Sequence, residues 1–215
     1  MPHHLFRSAH AWVFDLDNTL YPASARLFDQ IEAKMTAYVS RLLSVEAAEA
    51  DRLRAEYWRA HGTTLAGLMR VHGADPEPYL DDVHDIDLSG LAPDAALAAA
   101  IAALPGRKIV YTNGSRGHAD RVLAARGLTG LFDARYGVED AGYVPKPDMA
   151  AFRSVFAKDG LAPAGAAMVE DDHRNLAAPR AMGMRTLWIT EEQEGEHADA
   201  ATDDLSVFLQ MVTRG

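Results

Sequence analysis

Apolar positions along this chain fall into two textures. Between Leu27 and His84 they recur at three- and four-residue steps, the period of a helix face. Leu27, Phe28, Ile31, Met35, Tyr38, Val39 and Leu42 predict a first helix with Ser24 as its N-cap. A second helix is predicted from Ser44 to about Ala60, ending at Gly62, and a third from Thr64 to Val71, stopping at Gly73. Asp75-Pro76 reads as an N-cap with proline at the first helical position, leading to His84. From Pro93 onward, short apolar runs alternate with amphipathic stretches. Strands are predicted at 108–111, within 132–138, at 166–169 and at 186–189. Helices are predicted at 93–104, 118–126, 148–158 and 175–182, with a terminal helix over 204–212. Ala11-Trp12-Val13-Phe14 reads as one more buried strand, placed before the helical block, and residues 191–203 read as a polar, loose segment.

Strands alternating with helices predict an α/β fold, a doubly wound parallel sheet with right-handed crossovers. The helical block is then an insertion after strand one. It spans residues 22–88, with residues 1–21 and 89–215 forming the α/β core.

Composition narrows the partners. The 215 residues carry 21 Lys and Arg against 31 Asp and Glu, a net charge of −10. Such a surface argues against general nucleic-acid binding, which rests on cationic contacts to phosphates. There is no cysteine, so disulfide and thiolate chemistry are excluded and a reducing compartment is permitted. Met1 to His10 lacks the apolar core of a signal peptide, and no apolar run is long enough to span a bilayer. A cytoplasmic protein, monomeric or homodimeric, is the expectation. The nine histidines are scattered without ligand spacing, and His3-His4 reads as a mobile terminus.

Candidate chemistry gathers where strands end. Asp15 and Asp17 follow the first strand directly, where open α/β sheets bind ligands. Two acids this close repel, and a divalent cation with a preference for hard oxygens, such as Mg²⁺, relieves them. The plainer reading is an Asx-rich turn. Thr112 ends another strand in Thr112-Asn113-Gly114, where a hydroxyl and close backbone amides suit a phosphoryl oxygen, although Asn-Gly is also a common turn pair. Lys146 stands between two prolines that stiffen its loop, and Glu170-Asp171-Asp172 closes a further strand.

Phe14-Asp15-Leu16-Asp17-Asn18-Thr19-Leu20, followed in order by Thr112, Lys146 and Asp171, resembles the four motifs of the haloacid dehalogenase-like (HAD) phosphohydrolases. The resemblance implies a Rossmann-like HAD core with a helical cap, and an enzyme dependent on Mg²⁺. It implies catalytic roles for Asp15, Asp17, Thr112 and Lys146. Asp15 would be the nucleophile and Asp17 the acid and base. Asn113, Gly114 and Lys146 would bind phosphate. Asp15, the Asp17 backbone carbonyl and Asp171 would hold the metal, assisted by Glu170 or Asp172. An acid at Asp17 disfavours dehalogenation. Segments 14–22, 62–65 with 67–69, 83–87 and 169–176 are further similar to the pyrimidine 5′-nucleotidase branch, which implies a nucleoside 5′-monophosphate substrate. Thr64, Met69 and His84 are candidates to face its pocket, with His84 read equally as a helix-end histidine bonded to backbone. Tyr21-Pro22 and Ser89-Gly90 are the expected hinges of the cap. Sugar-phosphate phosphatases, phosphosugar mutases, a phospho-acceptor and a catalytically dead binding module stay open as alternatives.

Overall fold

The computed structural model describes residues 2–192 and 195–214. Six strands form one parallel sheet: β1 (Ala11–Phe14), β2 (Arg107–Tyr111), β3 (Ala134–Tyr136), β4 (Ala167–Glu170), β5 (Arg185–Ile189) and β6 (Ala200–Thr202), in the order β3-β2-β1-β4-β5-β6. β1 is central because both its faces are apolar. Alternation sends Trp12 and Phe14 to one face, with Val110, Val169, Leu187 and Phe208. Ala11 and Val13 go to the other, with Ile109, Met168, Phe152 and Val155. Helices α5 (Ala95–Ala103) and α9 (Leu205–Thr213) cover the first face, and α7 (Met149–Asp159) covers the second.

Helices α1 (Leu27–Leu43), α2 (Ala47–His61), α3 (Thr64–His72) and α4 (Pro76–His84) lie between β1 and α5 in the chain and pack on one another. They have a core of their own, with Val39, Tyr57, Leu68, Tyr79 and Val83. Gly67 lets α3 meet α2, since a Cβ there would stand 2.3 Å from the Cβ of Tyr57. The two connections between this helical layer and the sheet are tied together by Arg126. Its guanidinium donates to the carbonyls of Leu20 (3.1 Å) and Ala92 (2.6 Å) and to the Asp94 carboxylate (2.7 Å).

Several element limits differ from the sequence expectation. Ser24 is not an N-cap; it lies in a 3-10 turn, Ala23–Ala25, and α1 starts only at Leu27, with Arg26 paired to Asp29 of its first turn. α6 (Arg116–Ala125) begins two residues earlier than the hydrophobic period suggests, because Ser115 accepts the amide of His118 and caps it. The helix expected at 175–182 divides into a 3-10 turn, His173–Leu176, and the short α8 (Ala177–Ala181), whose first turn tolerates Pro179. The segment 191–203 contains β6, three residues with no apolar run to announce them; positions 193 and 194 of that segment lie outside the described residues. No helix among the described residues is long and apolar enough to cross a membrane.

The N-terminus is also more ordered than expected. His3 and His4 belong to a 3-10 turn, His3–Phe6, and Phe6 is fully buried. Its ring stacks on Trp12 at 6.2 Å and meets Phe208 edge-on at 5.3 Å. Phe6→Ala is therefore expected to cost about 3–5 kcal/mol, the range for a buried Phe truncation. Urea unfolding monitored by circular dichroism should show the midpoint fall with little change in slope.

Candidate active site

The site is assembled by strand register. Phe14 of β1 lies beside Val110 of β2 and Val169 of β4, so the residues that follow each strand emerge side by side. Asp15 follows β1 and its amide donates to the Val169 carbonyl. Thr112 follows β2, and Asp171 follows β4.

Lys146 reaches this point from a loop. Its backbone is clasped at two points by the Asn113 side chain: the Lys146 amide donates to Asn113 Oδ1 (2.8 Å), and Asn113 Nδ2 donates to the Lys146 carbonyl (3.1 Å). The buried Nζ donates to Asp15 Oδ1 (2.6 Å), Glu170 Oε2 (2.7 Å) and the Tyr111 carbonyl (3.1 Å). Three N–H groups thus find three acceptors. One cation nevertheless faces three carboxylates. Burial pushes the Asp15 carboxyl up to about 7; Lys146 opposes this, and the charges of Asp171 and Asp17 add to it. Glu170 is raised by burial and by Asp15, and Asp171 chiefly by burial. Oxygens of Asp15, Glu170 and Asp171 lie within 4.8 Å of one another. This hard, anionic donor set is short of positive charge, and it fits a divalent cation. Asp172 stands apart from it, capping the His173–Leu176 turn and pairing with Arg174.

Asp17 is held differently. Its Oδ1 accepts from the Tyr21 hydroxyl (2.7 Å) and from His118 Nε2 (2.8 Å), and Oδ2 lies 3.5 Å from the Thr112 hydroxyl. Burial alone would push this carboxyl up; the charge and hydrogen bond of His118, with the Tyr21 hydroxyl, bring it down to about 2. Thr112 Oγ1 in turn accepts the Gly114 amide (2.9 Å).

Asp15, Asp17, Thr112, Asn113, Gly114, Lys146 and Asp171 all line one cavity of about 480 Å³. The Asn113 side chain clasps the Lys146 backbone, and the Gly114 amide donates to Thr112 Oγ1. The opposite wall comes from the helical layer and includes Phe28, Ile31, Met35, Trp58 and Thr64. His84 also lines the cavity, whereas Met69 packs against the helical core instead. Tyr21, expected at a hinge, is buried and bound to Asp17. Tyr21, His118 and the Lys146 contact of Glu170 escaped the sequence reading. The four-residue step from Asp17 to Tyr21 is the one local signal, since His118 is 101 residues from Asp17.

The model of the family described as haloacid dehalogenase-like hydrolase matches residues 10–183. Phosphate metabolism protein 8 of Saccharomyces cerevisiae is 26% identical over 210 residues, which cover 89% of this chain and 65% of that protein. The chain thus spans 65% of that relative's length. Among solved structures, the HAD phosphatase of Thermococcus onnurineus is 18% identical with a TM-score of 0.65, covering 94% of this chain and 97% of that one. The 2-haloacid dehalogenase of Pseudomonas syringae pv. Tomato DC3000 is 21% identical with a TM-score of 0.60, covering 96% and 99%. These two likenesses are of fold, common to a phosphatase and a dehalogenase.

The raised Asp15 carboxyl has a pH signature. Between the ordinary 3.8 and about 7 the folded chain keeps a proton that the unfolded chain has lost, so this group lowers metal-free stability as pH rises through that window. A cation competes with the same proton. The rise in melting temperature caused by Mg²⁺, relative to EDTA, should therefore grow from about pH 6 to about pH 8. Paired thermal melts check this, and a Mg²⁺ shift that shrinks with rising pH would contradict it.

Proposed function

The chain belongs to the haloacid dehalogenase-like hydrolase family, and from that premise we propose that it is a Mg²⁺-dependent phosphomonoesterase acting through an aspartyl-phosphate on Asp15. The observation that carries this reading is the second acid. Asp17 lines the same cavity as the Asp15–Lys146 pair and is oriented by its own donors. Hydrolysis of a phosphate ester needs such a group twice, to protonate the departing oxygen and to activate water. The name of the yeast relative points toward phosphate chemistry as well.

In this mechanism an oxygen of Asp15 attacks phosphorus in line, and the bond from phosphorus to the ester oxygen breaks. Asp17 gives a proton to that oxygen. It then takes one from the water that attacks phosphorus and frees Asp15. Its two hydrogen bonds favour the carboxylate, the form that accepts a proton from water; a phosphoryl dianion beside it raises its proton affinity for the first step. Lys146 offsets the charge of Asp15 and of the phosphoryl group, and the Thr112 hydroxyl orients a phosphoryl oxygen. Mg²⁺ would be held by Asp15, the Asp17 carbonyl and Asp171, with Glu170 beside them, and would neutralise phosphoryl charge.

Residues 22–88 act as a cap over this site. We assign a nucleoside 5′-monophosphate, with a pyrimidine base, as substrate. The apolar wall of Phe28, Ile31 and Trp58 suits a planar ring, and Glu32 and Arg54 beside it supply polar edges. A cytoplasmic setting suits a chain without cysteine.

Phosphate release from UMP, CMP, purine nucleotides and sugar phosphates, with and without Mg²⁺, tests the reading. Metal-dependent release led by UMP or CMP is expected. Asp15→Asn should reduce it by ~10³-fold or more, while leaving the metal-free fold about as stable as wild type, because the Asn amide oxygen still accepts from Lys146 and one of three crowded carboxylates is gone. Release led by sugar phosphates would keep the mechanism and replace the substrate; no release from a folded protein would overturn both.

A further inference from the structure

His118 is fully buried at the start of α6, and its bonding is lopsided. Nε2 sits 2.8 Å from Asp17 Oδ1, while Nδ1 is buried with no hydrogen-bond partner among the described residues. A histidine serving only to fill the core would be replaced at no loss by an apolar side chain, without an unpaired buried nitrogen. The bond to Asp17 is what the imidazole supplies here.

The ring is also fixed in orientation. His84, at the end of α4, stacks on it with centroids 4.4 Å apart and planes at 14°. His84 itself is tied to Ser115 through Nδ1 (3.1 Å), and its carbonyl accepts from Arg121. A Cβ added at Gly114 would stand 3.3 Å from His118 Cδ2, His84 Nε2 and Thr112 Oγ1 alike, so little free space surrounds the ring. Tyr21 meets the same oxygen of Asp17 as His118 does, which leaves Oδ2 as the oxygen turned to Thr112.

We propose that His118, buttressed by His84 and paired with Tyr21, is a positioning residue that holds Asp17 with one oxygen immobilised and the other presented to the leaving group and to water. The inference rests on the phosphomonoesterase reading, and it makes part of the acid–base geometry depend on a residue delivered by the helical layer. Proton transfer to the departing oxygen matters most for a poor leaving group, so loss of the clamp has a substrate signature that loss of packing lacks.

The test uses the full chain with Mg²⁺ and compares wild type with His118→Leu, His118→Gln and Tyr21→Phe. Two readouts are taken: steady-state turnover of the nucleoside monophosphate that wild type prefers, and single-turnover release of p-nitrophenolate from p-nitrophenyl phosphate. On the nucleotide, His118→Leu should lower kcat about 100-fold with KM changed less than about threefold, a misplacement-sized effect. Release of p-nitrophenolate, a good leaving group, should fall less than about tenfold. His118→Gln keeps an N–H donor and should recover most of the kcat. If His118→Leu does not fold, Gln and Tyr21→Phe carry the comparison, Tyr21→Phe showing the same substrate split in milder form. Equal losses on both substrates, a loss borne by KM, or no loss at all would overturn the inference. If wild type itself releases no phosphate from any ester, the phosphomonoesterase reading falls first and the inference with it.

Discussion

One buried ammonium organises this molecule. Lys146 reaches the ends of β1, β2 and β4 and binds a group from each: the Asp15 carboxylate, the Tyr111 carbonyl and the Glu170 carboxylate. Buried carboxylates at adjacent strand ends repel in a medium that solvates them poorly. Without a cation among them the central strands would not tolerate acids there. The arrangement is under-neutralised all the same, because Asp171 adds a third carboxylate. Burial pushes the Asp15 carboxyl up, the neighbouring carboxylates add to the effect, and the deficit of positive charge makes the cluster a fit for a hard divalent ion.

The second acid obeys the opposite logic. Asp17 is less deeply placed than Asp15 and is given donors, Tyr21 and His118, and its carboxyl is pulled down where that of Asp15 is pushed up. Two aspartates separated by a single residue thereby acquire different proton affinities from different surroundings. Burial also lowers the neighbouring His84 to about 3, with His118 adding to the effect. The pocket floor is thus a place of strongly shifted groups facing one cavity, as catalytic clefts are.

The helical layer is built into this chemistry as well as covering it. Arg126 draws the outgoing and returning connections together by bonding the Leu20 and Ala92 carbonyls, and Tyr21 sits at the exit with its hydroxyl on Asp17. Arg174, shortly after β4, lies 4.2 Å over the Trp58 ring of α2 and joins the two sides of the cavity at a second place. The wall facing the strand ends is therefore positioned by contacts that also touch the site.

Much of this was readable in the chain itself. The strand run Ala11–Phe14, the alternation after Pro93 and the helical period before His84 predict a parallel α/β sheet with a helical insertion, because burial on both sheet faces and on one helix face imposes those periods locally. Asp15, Asp17, Thr112, Lys146 and Asp171 were visible too, since each directly follows a strand or stands in a proline-stiffened loop. What remained hidden depends on distance in sequence. β6 is three residues long and earns its place only by pairing with β5. The clasp of the Asn113 side chain on the Lys146 backbone forms only when the fold brings that loop to the end of β2. His118 is an unremarkable helix residue until the crossover from β2 sets α6 behind Asp17. A local pattern records which residues are buried and where strands end; which buried group meets which is decided only when distant segments share one site, because hydrogen bonds and charge pairs act across a few ångströms of space and not along the chain.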